Sequence, residues 1–503
     1  MLQLKDICIT LIKDQRNIIE GFSYSLQPND KVAIIGEEGN GKSTLLKLMY
    51  DENLVSDYVN YSGAIIKNGK FGYLPQFMAL DEQEMTLEEY FRDVDVYSNY
   101  EYVNELNLDY DFFFSKQFIK TLSGGEKVKI QLLKLLCENP DALFLDEPSN
   151  DLDIDTLTFL ETFITNCSVP IVFISHDETL IENSANTIIH IEQLVRKTKC
   201  KITVSGLDYQ EYLESRNMLF DKQTQVALKE RSEYKKKQDR LRQLYEKARH
   251  NSSWKSPDGI ASSDGHAKKS MKSLIAKGKR FERESEDFTD IPDREEGIFT
   301  KFDEKITMPS SKRVLELSLK ELKIGEQRLS ENIELVVTGN QHVAIIGNNG
   351  IGKSTLLKEI WRQLKDRKDL IVGYMPQNYR DVLDFNQTPS EYFRSNYDKE
   401  ENTRALTYMG AMKFTSDEMF HSIGELSGGQ RAKLIFLDII LRKCNVLILD
   451  EPTRNFSPLS APAIRKALMD FNGTIISISH DRKYLDEVAD IIYILSSDGL
   501  NVL

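Results

Sequence analysis

Two short runs have the residue types to wrap a phosphate chain. Gly36, Gly39, Asn40 and Gly41 lead into Lys42, Ser43 and Thr44; Gly347, Gly350, Ile351 and Gly352 lead into Lys353, Ser354 and Thr355. Glycines let successive backbone N–H groups turn inward on phosphate oxygens, and a helix opening at the lysine adds the positive end of its dipole. Each lysine can reach the β- and γ-phosphates, and each serine hydroxyl can sit on Mg²⁺. The context supports this: the strand-like run KVAIIG enters the first loop and the apolar helical run LLKLMY leaves it.

More chemistry follows each loop in the same order. Gln76 closes the run Gly72–Gln76 and Gln377 closes Gly373–Gln377, where an amide can sense Mg²⁺ or an attacking water. Ser123, Gly124 and Gly125, and later Ser427, Gly428 and Gly429, open helical runs whose first N–H groups can bind a phosphate. Asp146-Glu147 and Asp450-Glu451 end apolar strand-like runs. Each Asp is a candidate Mg²⁺ ligand, with Ser43 and Gln76 in one set and Ser354 and Gln377 in the other, while Glu147 and Glu451 are candidate general bases that polarise water. His176 and His480 follow further buried runs, placed to touch a γ-phosphate. The serine, the Asp and the His each recur at an offset of 304 residues. Such an ordered repeat predicts two copies of one α/β nucleotide-binding domain.

At 503 residues the chain is long enough for several cores. It has no apolar run long enough to span a membrane, and MLQLKDICIT lacks the pattern of a signal peptide. The five scattered cysteines predict reduced core thiols in a cytosolic protein, and no His/Cys cluster has zinc spacing. The aromatic-rich stretch from Gln76 to Thr121 predicts a small helical lobe with Phe112, Phe113 and Phe114 in its core.

Between the two copies lies a different kind of sequence. From Lys222 to Arg283 there are 18 Lys plus Arg against 7 Asp plus Glu, in a chain whose net charge is −14. A basic rod between acidic lobes suits an anionic partner. Tyr209 to Arg249 lacks Gly and Pro, and Phe220, Ala227, Tyr234, Leu241 and Ala248 recur every seven residues. That predicts a helix of roughly 60 Å. A turn-rich run follows, and a second helix from His266 to about Asp287 would carry Ala267, Met271, Leu274, Gly278 and Phe281 on one face. The pattern reads as a helical hairpin with its tip near residues 250–265. Expected domains are thus residues 1–206, a linker at 207–300, and 301–503. Trp254, Lys255, Lys268 and Lys269 are the candidate contact residues at the tip.

These motifs resemble the Walker A, Gln-loop, signature, Walker B and switch-His elements of the ABC ATPase superfamily. Two such cassettes joined by a charged helical linker look like the ABC-F family. The resemblance implies an α/β fold of two ABC-type nucleotide-binding domains joined by a long helical hairpin. It also implies ATP hydrolysis with ATP and Mg²⁺ bound, and a cytoplasmic monomer whose cassettes close on each other without a stable membrane partner. One ATP site would join the first Walker A loop to Ser427–Gly429, the other the second loop to Ser123–Gly125. The implied partner is the 70S ribosome, with the linker reaching 23S rRNA and P-site tRNA. The run from Asp450 to Ser460 is similar to that of ribosomal-protection members, which act against lincosamides, pleuromutilins and streptogramin A compounds. Three features depart from the family: no clear aromatic lies near Lys13 or Ile324, residue 151 is Asp where His is usual, and Asn455-Phe456-Ser457 lacks the usual acid. A housekeeping translation factor, the ATPase subunit of an exporter and a duplex-DNA-binding ATPase remain alternatives.

Overall fold

The computed structural model describes residues 2–503 except 107, 114, 151, 195–196, 254–271, 282, 284–287, 290, 293–301, 304 and 326. In the first half the strands run β1 (Leu2–Leu11), β2 (Asn17–Ser25), β3 (Lys31–Ile35), β4 (Val59–Lys67), β5 (Phe71–Leu74), β6 (Ala142–Asp146), β7 (Ile171–Ile174), β8 (Thr187–Leu194) and β9 (Lys199–Ser205). In the second half they run β10 (Arg313–Ile324), β11 (Gln327–Thr338), β12 (His342–Ile346), β13 (Val372–Met375), β14 (Val446–Asp450), β15 (Thr474–Ile478), β16 (Ile491–Ser496) and β17 (Gly499–Val502).

Each half has one antiparallel layer and one mostly parallel sheet. The antiparallel layers are β2-β1-β4 and the ribbon β10-β11. The main sheets have the orders β5-β6-β7-β3-β8-β9 and β13-β14-β15-β12-β16-β17, with only the last strand of each antiparallel to its neighbour. Every residue of β3, β6 and β7, and of β14 and β15, is buried. Helices and the antiparallel layer cover both faces, so these strands read as continuous apolar runs rather than alternating ones. The consequence is positional. The phosphate loop leaves the end of β3, the acid pair ends β6, and His176 follows β7; β12, β14 and β15 do the same for the second set. Neighbouring parallel strands thus deliver all three chemistries to the carboxyl edge of one sheet, where such folds bind ligands.

The aromatic stretch of the first half forms short helices, including Leu87–Tyr90, Tyr100–Glu105 and Tyr110–Phe113. Phe113 is fully buried, and Phe91 meets it edge-on at 5.0 Å between centroids. Phe112 is half-buried, and Phe114 lies outside the described residues. Only Cys444 of the cysteines is buried; the other four are half-buried.

Contacts divide the chain into two units, Met1–Tyr209 with Glu295–Leu503, and Gln210–Arg294. Inside the first unit the two cassettes share a charged seam. Arg465, only 3 % exposed, donates to Glu178 at 2.6 Å and to Glu487 at 2.8 Å. Arg482 donates to Glu161 at 2.8 Å, and Lys483 pairs with Glu178 at 3.2 Å and with Glu182. Glu161 and Glu178 stand 304 residues before Arg465 and Arg482. Equivalent positions therefore carry acids in one cassette and arginines in the other, so unlike cassettes attract and like cassettes repel.

The second unit is a helical hairpin. Most of it comes from the helix Tyr209–Ser253, and residues 272–281 are helical in return. Glu230 accepts from the Thr289 N–H at 2.8 Å, Tyr234 meets Phe288 at 5.2 Å, Lys237 lies 5.8 Å from the Phe281 ring, and Gly278 comes up against Leu241. Rising numbers on one arm pair with falling numbers on the other, which is the antiparallel arrangement. Phe220 and Ala227 are buried and Tyr234 and Leu241 half-buried, so the seven-residue stripe is the packed one. Lys229, Arg231, Lys235, Lys236, Arg240 and Lys247 are exposed. Trp254, Lys255, Lys268 and Lys269, with Ala267 and Met271, lie outside the described residues.

Candidate functional site

The first phosphate loop needs glycine for a steric reason. Gly36 has φ +144°, and a Cβ there would lie 2.3 Å from the Ile191 carbonyl oxygen; Gly347 repeats this with φ +148° and the Leu495 carbonyl at 2.5 Å. Gly39 and Gly350 face open space. The loop lysines are turned onto their own loops. Lys42 Nζ donates to the carbonyls of Gly36 at 2.8 Å and Glu37 at 3.1 Å, and Lys353 Nζ to those of Gly347 at 2.6 Å and Asn348 at 3.0 Å. An ammonium held this way hangs over an open cradle of N–H groups, which fits a polyphosphate.

A cavity of about 490 Å³ joins the first loop to the second cassette. Lys42, Ser43 and Thr44 line one wall; Ser427, Gly428 and Asn455 line the other. Ser43 Oγ donates to Asp146 Oδ1 at 2.8 Å, and Tyr73 OH donates to the other oxygen at 3.1 Å. Burial raises the pKa of Asp146. This hydroxyl and carboxylate form a hard oxygen donor set that fits Mg²⁺. Glu147 is held from several sides. Gln76 Nε2 donates to Oε2 at 2.9 Å, Asn150 Nδ2 donates to the same oxygen, and His176 Nε2 lies 3.4 Å from Oε1. Burial opposes the charge, but His176, Lys42 and Asn150 prevail and pull its pKa down to about 2. The other His176 nitrogen, Nδ1, donates at 2.8 Å to the carbonyl of Phe456 in the second cassette.

The second loop borders a cavity of about 330 Å³ with Lys353, Ser354, Thr355, Gln377, Asp450, Glu451 and His480. Ser354 bonds Asp450, whose pKa burial raises. Glu451 is held differently from Glu147. It accepts the His480 N–H at 3.2 Å, while its Oε1 accepts no hydrogen bond among the described residues and lies 3.9 Å from His480 Nε2. Burial and the neighbouring Asp450 push its pKa up to about 8, and burial with Lys353 pushes His480 down to about 4. No bond corresponding to that of Gln76 links Gln377 to Glu451 among the described residues. The first signature run is also set apart. Ser123, Gly124 and Gly125 do not line this cavity. Ser123 and Glu126 close a reciprocal cap, as Ser427 and Gln430 do on the other signature helix, and a Cβ on Gly125 would lie 2.5 Å from the Thr156 hydroxyl, as one on Gly429 would from the Asn455 carbonyl. What the first cassette does bring to the second cavity is Ser149, Asn150, Leu152, Leu157, His176 and Asp177.

A family model described as "ABC transporter" matches residues 19–150 and 330–454, just over half of the chain. The chain belongs to the ABC transporter family. Within that family it is an ABC-F ATP-binding protein and an ATPase. It is 29% identical to "Ribosome protection protein VmlR" of Bacillus subtilis, over 97% of this chain and 86% of VmlR. It is 27% identical to "Energy-dependent translational throttle protein EttA" of Haemophilus influenzae, over 97% of this chain and 91% of EttA. An archaeal ribosome recycling factor, solved with an archaeal ribosomal stalk protein, shares the fold with a TM-score of 0.59 at 18% identity, covering 99% of this chain and 89% of that one.

Several residues of this ABC-F protein do work that motif reading missed. Both candidate bases have left-handed backbones, Glu147 at φ +51° and Glu451 at φ +52°. Non-glycine residues rarely adopt that conformation, and at functional sites it fixes a side chain's aim. Asn150 and Arg454, at equivalent positions, each line both cavities. Their place four residues after each Walker B Asp was the available signal. Leu11 and Ile18 line the first cavity and Ile324 the second, so aliphatic side chains stand where a base-stacking ring is usual; the first cavity also has the exposed Phe77. Glu37 and Glu38, at the variable positions of the first phosphate loop, and Lys433 are the other residues missed. Asp151 lies outside the described residues.

Proposed function

We propose that this protein is an ATP-driven, ribosome-binding cytoplasmic factor whose basic hairpin reaches toward the peptidyl-transferase centre and protects translation from lincosamide, pleuromutilin and streptogramin A antibiotics. The observation that carries the reading is the joining of a composite ATP site, closed by both cassettes, to an exposed basic helical arm. An arm in which 18 Lys plus Arg outnumber 7 Asp plus Glu suits a polyphosphate backbone such as 23S rRNA and P-site tRNA. VmlR's name and the run Asp450–Ser460 favour the protective role. EttA's name favours the second reading, a translation factor that acts without drug.

In the cycle, ATP is clamped between Lys42 and the N–H groups that open the helix at Ser427. Asp146 and Ser43 would hold Mg²⁺, which when bound neutralises the charge developing on the transferred phosphoryl group. Glu147, kept ionised by His176 and Asn150, accepts a proton from the attacking water. Gln76 orients that water through its bond to Glu147. Lys353, Ser354, Thr355, Asp450, Glu451, Gln377 and His480 have the corresponding duties at the second site, with Ser123, Gly124 and Gly125 joining it on fuller closure. The γ-phosphate touches both cassettes, so its loss lets them part and releases the ribosome. No helix among the described residues is long and apolar enough to cross a membrane.

The test is sedimentation through sucrose of the Glu147→Gln, Glu451→Gln protein with 70S ribosomes. Co-sedimentation with ATP and not with ADP is expected. Absence of co-sedimentation by a protein that still binds ATP would refute ribosome binding. Drug susceptibility of cells with and without the protein then separates the two readings.

A further inference from the structure

The first phosphate loop carries two acids, Glu37 and Glu38, where the second carries Asn348 and Asn349. Acids are unexpected in a loop that binds a polyanion. Both point away from their own loop and onto the other cassette. Glu37 Oε1 accepts from Ser457 Oγ at 2.7 Å and also from Ser460 Oγ, and Lys433 Nζ lies 3.9 Å from its other oxygen. Glu38 Oε2 accepts the Gly429 N–H at 2.8 Å. Burial disfavours a charge on Glu37, yet Lys433, the two hydroxyls and Lys42 keep its pKa below the usual carboxyl value.

The repeat shows what Glu37 is doing there. Ser457, Ser460 and Lys433 stand 304 residues after Asp153, Thr156 and Lys129. In the first cassette Asp153 Oδ1 accepts from Thr156 N at 3.0 Å and from Thr156 Oγ1 at 2.6 Å, closing the start of the helix Ile154–Asn166. In the second cassette the Asp is a serine, and Ser460 N–H donates to Ser457 Oγ at 3.2 Å. The carboxylate on this turn comes instead from Glu37 of the facing loop. The lysines follow the acid: Lys433 is drawn toward Glu37, whereas Lys129 lies 4.7 Å over the Phe159 ring of its own cassette. Each composite site thus sets one carboxylate against a hydroxyl-bearing turn, but from opposite sides of the interface.

We propose that Glu37 is a positioning residue for hydrolysis at the first site, supplying in trans the carboxylate that Asp153 supplies in cis. It fixes the turn Ser457–Ser460. That turn aims the Phe456 carbonyl, the carbonyl holds His176 Nδ1, and His176 holds Glu147. The inference rests on the reading of the first site as hydrolytic. It also explains how a turn without the family's acid can serve a working site.

The test relocates the charge. Steady-state ATP turnover is measured for the full chain carrying Glu451→Gln, so that the first site is read alone. Glu37→Asn is expected to lower kcat about tenfold with little change in KM, since it removes a charged hydrogen-bond acceptor remote from the nucleotide base. Ser457→Asp alone is expected to lower kcat as well, by setting two carboxylates together. Glu37→Asn with Ser457→Asp is expected to recover most of the rate, because it rebuilds the arrangement of the other interface; the recovery must appear in kcat with the melting temperature little changed, whereas a merely structural contact would recover melting temperature and leave kcat unmoved. A double variant no faster than Glu37→Asn, or a Glu37→Asn protein with unchanged kcat, overturns the proposal while the parent's turnover leaves the ATPase reading standing. A folded parent without turnover overturns the reading of the first site and this inference with it. Should Ser457→Asp fail to fold, Glu37→Gln and Glu37→Asp decide: the neutral variant must lose more rate than the shortened acid, and the reverse order sinks the idea.

Discussion

The two ATP sites are built from the same motifs in the same order, yet they stand in different states. At the first, the signature turn of the other cassette has arrived and Glu147 is ionised, bonded by Gln76 and Asn150 and faced by His176. At the second, the signature turn does not line the cavity and Glu451 is buried with one oxygen unbonded among the described residues. The lysines, serines, acid pairs and histidines of the motifs match and do not produce the difference. It comes from the residues between them. Asn150 faces Arg454 as its counterpart, Glu37 faces Asn348, and Asp153 faces Ser457. The motif chemistry recurs at both sites, and the residues that differ between the sites lie within and around the motifs.

Base removal is the largest test of this asymmetry. Losing a general base costs about a hundredfold or more at its own site. If the first site is the one set for chemistry, Glu147→Gln should cut overall ATP turnover by about that factor, while Glu451→Gln should leave at least about half of it. Equal losses from the two substitutions would remove the asymmetry. The charged seam gives the next effect. Arg465 makes two bonds to Glu178 in a buried setting, so Arg465→Ala leaves that acid to Lys483 alone and should destabilise the protein by about 3 kcal/mol, read from urea unfolding. The exposed pair Arg313–Glu316 provides the control, and Arg313→Ala should change stability by less than about 1 kcal/mol. Exchanging the charges, Arg465→Glu with Glu178→Arg, should recover part of the loss if the seam works by unlike charge.

Much of this was legible in the sequence, and the limits have physical causes. The strands under the motifs could be read because a parallel sheet covered on both faces demands unbroken apolar runs such as ALFLD and VLILD. The hairpin could be read because the stripe from Phe220 to Leu241 keeps one period over several turns. The 304-residue offset was legible as well, and it already contained the seam, since Glu161 and Glu178 against Arg465 and Arg482 is a difference between aligned copies. Its meaning was not, because sequence alone does not say that these positions face each other across an interface. Glu37 was hidden for the same reason: its partners Ser457, Ser460 and Lys433 lie about 400 residues away along the chain and meet it only once the cassettes have closed. The left-handed backbones of Glu147 and Glu451 leave no mark in composition at all.

The smallest test is also the most discriminating, since the same substitution should act in opposite directions at the two sites. In nucleotide-free protein Glu451 has a pKa raised to about 8 by burial and Asp450. A raised folded-state value means that the group favours folding below the unfolded-state pKa, and that this contribution is lost as pH rises through about 8. Glu451→Gln escapes that loss, so its melting temperature relative to the parent should climb between pH 5 and pH 8. Glu147 has a value depressed to about 2, with burial outweighed by His176, Lys42 and Asn150. A depressed value favours folding above the unfolded-state pKa and is lost only as pH falls toward 2. Glu147→Gln should therefore melt below the parent throughout the same window. Each shifted unit corresponds to about 1.4 kcal/mol, so gaps of a few degrees in opposite directions at pH 8 are expected in differential scanning fluorimetry. Added ATP should shrink the Glu451→Gln gain, because phosphate binding at the second site draws Lys353 off the Gly347 and Asn348 carbonyls and resets the field around the acid. Parallel melting shifts for the two variants would mean that the bases share one environment, and the asymmetry would then have to come from Glu37 alone.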